Sequence, residues 1–287
     1  MLEDYHVHCD FSDDSEEPME NQIEKAVQLD LDEICFTDHV DYGIKRDQDD
    51  PLGIETKQAF YMGETITCVL SNVNYPEYFR KLKQMKQLYQ DRITIRKGLE
   101  FGVQTITVDQ YERLFDRYED ELDFVLLSMH QVDNLEFWAQ DFQRGKTRKE
   151  AYDAYYREIY EVQKMFRHYS VLAHLDLLSR YDEEGDYPFE NVKEMVAEIL
   201  KQAIADDKGI EINTASWQYG LKDTQPAREI LRLYKDLGGR IITSGSDAHT
   251  AKYVGAHIKD AMDILKNEIG FSQICTFDHM RPVFHEL

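Results

Sequence analysis

The segment Phe124-Val-Leu-Leu-Ser-Met-His130 is a short apolar run that ends in a histidine, and similar runs recur along the chain. A run of this length suits a strand that is buried on both faces of a parallel sheet. Because such runs alternate with helical patterns, the sequence predicts a parallel sheet built from βα units. The predicted strands are residues 4–8, 33–38, 93–100, 124–129, 170–174, 209–213 and 240–244.

Helical patterns lie between these strands, at residues 19–29, 75–89, 148–166, 191–205 and 227–237. The last pattern stops at Gly238-Gly239, where a glycine can cap the C-terminus of a helix. Seven βα units in an α/β chain tend to close into a barrel. The chain has 287 residues, 42% of them hydrophobic, and shows no linker, so we expect a single domain over residues 1–287.

Residues 40–74 interrupt the alternation of strands and helices. This segment has a mixed composition and is too long for an ordinary βα connection. Long loops of this kind are often functional. We interpret it as a lid or a substrate wall beside His39, with a disordered surface insertion as the alternative.

Side chains that bind metals lie at or just after the ends of the predicted strands at seven places. In chain order they are His6-Val7-His8, Asp14, Asp38-His39, Glu100, His130, His174 and Asp247-Ala248-His249, which include six of the ten histidines. Histidine nitrogens and carboxylate oxygens are ligands with which divalent metals activate water. Since the C-terminal ends of barrel strands meet at one mouth, we expect a metal centre there.

The spacing of two pairs strengthens this prediction. His6 and His8 lie two residues apart on one strand, so both side chains leave the same face. Asp247 and His249 have the same spacing. Small residues before Asp247 allow the backbone to approach a site closely. Each pair is therefore suited to one metal centre, although Asp247 alone could also cap a helix.

Three further carboxylate or thiol groups lie near these histidines in the sequence. Asp38 should point away from the side that His39 faces, which favours a supporting role without metal binding. Cys9 should likewise point away from His8. Asp14 is a predicted ligand that shares its segment with the competing carboxylates Asp10, Asp13 and Glu16. The remaining histidines, predicted to be structural or surface groups, are His168, His257, His279 and His285.

The composition excludes several classes of function. The net charge of −23 argues against a nucleic-acid surface, which needs a basic footprint. No apolar run is long enough to span a membrane. The N-terminal residues lack the pattern of a signal peptide, and the four cysteines form no CxxC pair. We therefore expect a cytoplasmic protein with reduced thiols, no nucleic acid and no membrane.

The ordered motifs resemble those of the PHP (polymerase and histidinol phosphatase) family. They are His6-Val-His8, Thr37-Asp-His39, Gly98-Leu-Glu100, Ser128-Met-His130, Ala173-His-Leu-Asp176 and Ser246-Asp-Ala-His249. Within the family, the chain is most similar to the histidinol-phosphate phosphatases. The resemblance covers residues 4–265 and implies a distorted (β/α)7 TIM-like barrel that holds three divalent metal ions, which could be Zn, Fe or Mn.

The resemblance also implies a ligand set for each metal. One metal would bind His6, His8, Glu100 and Asp247. A second would share Glu100 and add His130 and His174. The third would bind His39 and His249, and Asp14 stands where many members of the family have a histidine. Carboxylate oxygen is a competent ligand, so we count Asp14 among the predicted metal ligands.

In this family the substrate would be a small phosphate monoester, here L-histidinol phosphate, cleaved to L-histidinol and phosphate in histidine biosynthesis. A hydroxide between the metals that Glu100 bridges would attack phosphorus. The resemblance places phosphate contacts at Arg180 and Lys222. Asp247 and His249 are alternatives for protonating the leaving group. Residues that could recognise the rest of the substrate are Gln104, Trp138 and residues 40–74.

Two other functions remain open from the sequence. The chain could be a PHP phosphoesterase for another small monoester or a nucleotide, because the charge argues only against long nucleic acids. It could also be a PHP module that binds partners without catalysis. Such a module is expected to have lost metal ligands, whereas every ligand position here carries a competent residue. The oligomeric state is not predicted.

Overall fold

The computed structural model describes residues 1–61 and 64–287, and the side chains of residues 59–61 lie outside the description. The strands are β1 (Glu3–Val7), β2 (Glu33–Phe36), β3 (His39–Val40), β4 (Glu55–Tyr61), β5 (Glu64–Leu70), β6 (Thr94–Gly102), β7 (Phe124–Ser128), β8 (Gln131–Val132), β9 (Leu135–Glu136), β10 (Val171–Leu172), β11 (Gly209–Asn213), β12 (Ile242–Gly245), β13 (Gln273–Asp278) and β14 (Arg281–Glu286). The helices are α1 (Met19–Gln28), α2 (Tyr75–Leu88), α3 (Val108–Tyr118), α4 (Arg148–Met165), α5 (Lys193–Ala205), α6 (Arg228–Asp236) and α7 (Ile258–Asp263), which runs into a π-helical turn, Ile264–Ile269.

Seven parallel strands form a nearly closed barrel in the order β1-β2-β6-β7-β10-β11-β12. The last and first strands meet through a bridge between Val7 and Ala248. There the backbone N–H of His8 donates to the carbonyl of Ala248 at 2.9 Å. The predicted α/β (β/α)7 barrel is confirmed.

The barrel is irregular in ways that affect the site. The predicted strand at residues 33–38 is wrong in its extent, because β2 ends at Phe36. His39 and Val40 then form the separate strand β3, in which His39 pairs with Glu100 of β6. In β1 the register shifts between Asp4 and Val7, which marks a β-bulge.

Two hydrophobic layers hold the barrel. Val125 and Leu127 of β7 belong to a large core that includes the buried faces of the helices. Their neighbours Phe124 and Leu126 belong to a smaller core inside the barrel. This alternation follows from the pleat of a strand, which sends successive side chains to opposite faces.

The C-terminal hairpin β13–β14 covers the base of the barrel. Cys275 and Phe277 pack in the inner core with Tyr5 and Phe124. The backbone N–H of Phe277 donates to the Tyr5 hydroxyl at 2.9 Å. The hairpin therefore shields the inner core at the base of the barrel.

Helix ends follow recognisable sequence signals. Thr147 and Glu150 form a capping box at the start of α4, in which each side chain accepts from the other residue's backbone N–H. Gly238 follows the end of α6 with φ +93°, a conformation that glycine adopts without strain. In the described part of the chain, no helix has the length and apolar character needed to cross a bilayer.

Candidate metal centre

Glu100 lies at the centre of the barrel mouth and is fully buried. Its Oε2 atom lies 3.3 Å from His6 Nε2, 3.5 Å from His8 Nε2 and 2.9 Å from His39 Nδ1. None of these three contacts is a hydrogen bond, and Glu100 Oε2 has no hydrogen-bond partner. One carboxylate oxygen therefore faces three imidazole nitrogens, from His6 in β1, from His8 directly after β1 and from His39 in β3.

The other oxygen of Glu100 faces the next two strands of the barrel. Glu100 Oε1 lies 3.1 Å from His130 Nε2 and 2.9 Å from His174 Nε2. The Ser128 hydroxyl donates to the same oxygen at 2.6 Å. Burial raises the pKa of Glu100, but His6 and His130 outweigh this effect and hold the pKa well below its usual range. Glu100 is therefore ionised and can contact two groups of histidines at once.

Asp247 faces the same centre from the end of β12. Its Oδ1 atom lies 3.6 Å from His6 Nε2 and 3.5 Å from His8 Nε2. Its Oδ2 atom lies 3.4 Å from the guanidinium of Arg180. Asp247 has φ 53°, an uncommon backbone conformation for a residue other than glycine. It does not cap a helix start, since α7 begins only at Ile258.

Asp14 joins two histidines at the outer side of the cluster. Its Oδ2 atom lies 3.3 Å from His39 Nε2 and 3.2 Å from His249 Nε2. Among the carboxylates that competed for this role, Asp13 instead contacts Lys45 at 2.6 Å. The structure therefore brings Asp14 to the other predicted ligands.

Eight of the nine predicted ligands form groups that fit divalent metals, and Asp14 lies beside His39 and His249 of these groups. Buried nitrogen atoms of His6, His8, His39 and His174 lack hydrogen-bond partners, as does Glu100 Oε2. Leaving so many buried polar atoms unpaired is costly, and bound cations would satisfy them. Four overlapping groups bring their ligand atoms within 4.8 Å of one another: His8/His39/His249, His6/His8/Glu100, His6/His174/Asp247 and His39/Glu100/His130. Mixed nitrogen and oxygen donors suit Zn, Fe or Mn.

Two buried carboxylates that orient the histidines were not assigned this role from the sequence. Glu211 Oε1 lies 2.6 Å from His6 Nδ1 and Asp41 Oδ1 lies 2.8 Å from His130 Nδ1. A carboxylate on the second ring nitrogen fixes the orientation of a metal-binding histidine. The sequence offered one sign of the role of Glu211. It is a charged residue in the otherwise uncharged strand β11, and every residue of that strand is buried.

Lys45 extends this network on one side of the mouth. Its ammonium lies 2.9 Å from Asp41 Oδ2 and also contacts Asp13. Burial raises the pKa of Asp41, but Lys45 and His130 outweigh it and hold that pKa well below the usual range. Lys45 therefore helps to keep Asp41 ionised as the acceptor of His130.

The two predicted phosphate contacts have different positions. Arg180 lines the cavity at the barrel mouth, and its Nε donates to Gln225 Oε1 at 2.9 Å. Lys222 has a side chain that is 89% exposed and lies 3.8 Å from Asp186. Lys222 is not among the described residues that line the cavity. The structure therefore brings Arg180 to the site and does not bring Lys222.

The segment at residues 40–74 forms one wall of this cavity. Its hairpin β4–β5 contributes Ile66, Thr67, Cys68 and Leu70 to the lining. The described residues of this segment include the hairpin β4–β5, and residues 62–63 lie outside the described residues. The cavity has a volume of about 470 Å³.

The structure also shows where the other residues singled out in the sequence lie. Trp138 lines the cavity. Gln104 is buried and bonded to Tyr42 and Asn134, outside the described lining. Asp38 accepts from the backbone N–H and the thiol of Cys9, so neither residue faces the cluster. The four remaining histidines contact groups elsewhere: His168 with Glu112, His257 with Asp260, His279 with Asp278, and His285 with Thr276.

A parallel barrel with a histidine and carboxylate cluster at its mouth defines a class of metal-dependent enzymes, and the sequence agrees with that class. The profile of the PHP domain matches residues 4–215, and the chain belongs to this family. The histidinol-phosphatase of Lactococcus lactis subsp. lactis (strain IL1403) is 30% identical over 284 residues, which cover 97% of this chain and 95% of that protein.

One further relative and one solved structure support the same placement. A probable histidinol-phosphatase of Clostridium acetobutylicum is 26% identical over 291 residues, covering 100% of this chain and 97% of that protein. A crystal structure of histidinol phosphate phosphatase from Lactococcus lactis, complexed with Zn, L-histidinol and phosphate, has a TM-score of 0.80 at 30% identity and covers 98% of each chain. Family membership and the ligand clusters together imply divalent metals in this protein.

Proposed function

We propose that this protein hydrolyses L-histidinol phosphate to L-histidinol and phosphate, in a reaction that depends on three divalent metal ions. The observation that carries the proposal is the buried carboxylate of Glu100, whose two oxygens face five histidines. The relatives that cover the whole chain carry the name histidinol-phosphatase, which supports this substrate. A cytoplasmic location in histidine biosynthesis follows as part of the proposal.

The proposed ligand sets are those that the sequence predicts. One ion would be held by His6, His8, Glu100 and Asp247, a second by Glu100, His130 and His174, and a third by His39, His249 and Asp14. Bound divalent ions supply a water of lowered pKa and positive charge for the phosphate. Glu211 and Asp41 hold His6 and His130 so that their Nε2 atoms face Glu100.

Arg180 contributes a fixed positive charge beside the metals. Asp247, Gln225 and the face of Tyr219 hold its guanidinium, which lies 4.4 Å from the centre of that ring. A planar guanidinium can donate two hydrogen bonds to one phosphate, and these strengthen as negative charge develops. Arg180 therefore orients the phosphoryl group, while Asp247 and His249 remain the two alternatives for protonating the leaving alkoxide.

The decisive experiment measures phosphate release from L-histidinol phosphate beside other monoesters and nucleotides, after chelation and after metal is added back. A strong metal-dependent preference for L-histidinol phosphate is expected. Hydrolysis spread evenly over the panel, or centred on another monoester, would contradict the substrate. No metal-dependent hydrolysis of any ester would contradict the reaction and favour a binding module.

Variants of the central ligands test the site itself. Glu100→Ala and His130→Ala should abolish turnover while circular dichroism shows that the fold survives. Lys222→Ala is the matched control, because its exposed side chain does not line the cavity among the described residues. Near wild-type activity in either ligand variant would refute the assignment, and a large loss in Lys222→Ala would restore that residue as a phosphate contact.

A further inference from the structure

Glu136 differs from the other carboxylates that line the cavity. Asp13 and Asp41 both contact Lys45, and Asp14 and Asp247 contact histidines of the cluster. Glu136 lies on β9, away from these groups, and its residue is only 9% exposed. The negative charge of Glu136 is therefore not explained by metal binding or by the orientation of a ligand.

Trp138 lies beside this carboxylate and lines the same cavity. Its indole Nε1–H donates to Glu136 Oε1 at 2.9 Å. Lys57 contacts Glu136 Oε2 at 2.5 Å and also approaches Asp141 at 3.7 Å. The Lys57 ammonium also lies 5.6 Å from the centre of the Trp138 ring, so it approaches both members of the pair.

A carboxylate offers about four acceptor positions on its two oxygens. The indole and the ammonium use only part of this capacity at Glu136. The indole bond fixes Trp138 next to the acceptor. The pair thus combines an aromatic face with a hydrogen-bond acceptor, which suits a flat heterocycle that carries an N–H donor.

The hairpin β8–β9 sets the distance of this pair from the metal centre. It begins at Gln131, directly after His130, and Gln131 pairs with Glu136. Paired strands lie about 5 Å apart, so Glu136 is displaced by one strand from the predicted ligand His130. In L-histidinol phosphate the imidazole is separated from the phosphate ester by a short aliphatic chain. With the phosphate at Arg180 and the metals, the ring would extend along the cavity.

We propose that Glu136 and Trp138 form the subsite that binds the imidazole ring of the substrate, an inference that rests on the proposed function. Glu136 accepts a hydrogen bond from the ring N–H, and Trp138 packs against the ring. The subsite contributes to specificity and takes no part in breaking the phosphate ester.

The test compares two substrates that differ only in the ring. L-Histidinol phosphate carries the imidazole, and L-alaninol phosphate keeps the amine and the phosphate but ends in a methyl group. Glu136→Leu should lower kcat/KM for L-histidinol phosphate about 10–100-fold, because a hydrogen bond to a charged group is lost. It should change kcat/KM for L-alaninol phosphate by less than about threefold, since that substrate does not reach the subsite.

Two further variants keep the test interpretable. Lys222→Ala is the control, since its exposed side chain does not line the cavity among the described residues; it should keep the wild-type ratio of the two kcat/KM values. Trp138→Leu should reduce that ratio as Glu136→Leu does, and it provides the same test if the Glu136 variant does not fold. Calorimetry of the metal-loaded protein adds a second readout: both subsite variants should weaken binding of L-histidinol and leave binding of inorganic phosphate unchanged.

The outcomes separate this inference from the proposed function. If the wild-type protein shows no preference for L-histidinol phosphate over L-alaninol phosphate and other monoesters, the proposed function itself fails. A second outcome is that the preference exists while Glu136→Leu and Trp138→Leu leave the ratio of the two kcat/KM values unchanged, including by lowering kcat/KM equally for both substrates. In that case the subsite assignment alone is overturned.

Discussion

At the scale of single residues, the geometry of the candidate metal centre depends on how firmly each imidazole ring is held in its orientation. His6 is fully buried, and one ring nitrogen contacts Glu211 while the other faces Glu100. Glu211 also accepts from the backbone N–H of His174 at 3.0 Å. One carboxylate thus aligns groups from two strands, and its loss would disturb both without removing a predicted ligand.

Replacing Glu211 tests this orienting role. We expect Glu211→Gln to weaken metal affinity or activity about 10–100-fold, the usual effect of removing a carboxylate that supports a metal-binding histidine. Metal content after dialysis against graded chelator measures the effect. Asp41→Asn should act in the same direction through His130. Wild-type metal retention and activity in both variants would contradict the role of these carboxylates.

Glu3, which is not a predicted metal ligand, offers a test of how the stability of the fold depends on pH. It is fully buried; its Oε1 accepts from the backbone N–H of Ser244, whereas Oε2 has no hydrogen-bond partner. Burial raises the pKa of Glu3 well above its ordinary value of 4.5. Because the folded state binds this proton more tightly, ionisation destabilises the fold as pH rises from about 4.5 through the folded pKa.

Glu3→Gln should remove this pH dependence, because glutamine keeps the acceptor oxygen and cannot ionise. Relative to wild type, the free energy of unfolding of the variant should improve as pH rises, by about 1.4 kcal/mol for each unit that the folded pKa exceeds the unfolded one. Urea unfolding of both proteins between pH 5 and pH 8 provides the measurement. A difference that does not change with pH would refute the argument.

At the scale of elements, the bulge in β1 is what allows a structural residue and a ligand to be neighbours. Tyr5 packs in the inner core, yet His6 also faces the interior and contacts Glu100. A regular strand would send these two side chains to opposite faces. The register shift between Asp4 and Val7 provides the extra residue, as β-bulges commonly do beside active sites.

The C-terminal hairpin is the second element with a measurable contribution. Phe277 is 2% exposed, and its ring centre lies 5.0 Å from that of Phe124. Phe277→Ala should destabilise the protein by about 3–5 kcal/mol, because it leaves a cavity at the base of the barrel. Val283→Ala on β14 is the control, since Val283 is 41% exposed and should change stability by less than about 0.5 kcal/mol. Equal denaturation midpoints for the two variants would show that the hairpin does not hold the base.

At the scale of the whole molecule, closure of the barrel brings together residues from both ends of the chain. The backbone N–H of Ser244 donates to Glu3, 241 residues earlier, and Ala248 bridges Val7. The predicted metal ligands come from both sides of this seam. Metal binding and barrel closure are therefore expected to stabilise each other.

Removing the metals should accordingly lower the stability of the entire barrel. A ligand that binds only the folded state stabilises it by about 2.7 kcal/mol at a hundredfold excess over its Kd. We expect chelation to lower Tm cooperatively and added Zn, Fe or Mn to restore it, as followed by calorimetry. The variant Glu100→Gln should show a smaller shift. An identical Tm with and without metal in the wild-type protein would contradict this coupling.

The sequence by itself determined the class of fold and most of the candidate site. Apolar runs such as the one at Phe124 predict buried parallel strands, and the ligands that follow them are brought to one mouth by the barrel. Both signals are local, because strand period and residue chemistry are written in consecutive residues. The assignment of all nine residues as metal ligands stays a prediction.

The tertiary structure alone decided which residues meet across the barrel. It distinguished Asp14 from Asp13, placed Lys222 away from the cavity and brought Glu211 and Asp41 to the histidines. It also set Glu136 beside Trp138 in the cavity wall. These relations depend on the register, the bulge and the packing of distant strands. No period in the sequence encodes them, because a carboxylate has the same local pattern whether it binds a metal, orients a ligand or faces solvent.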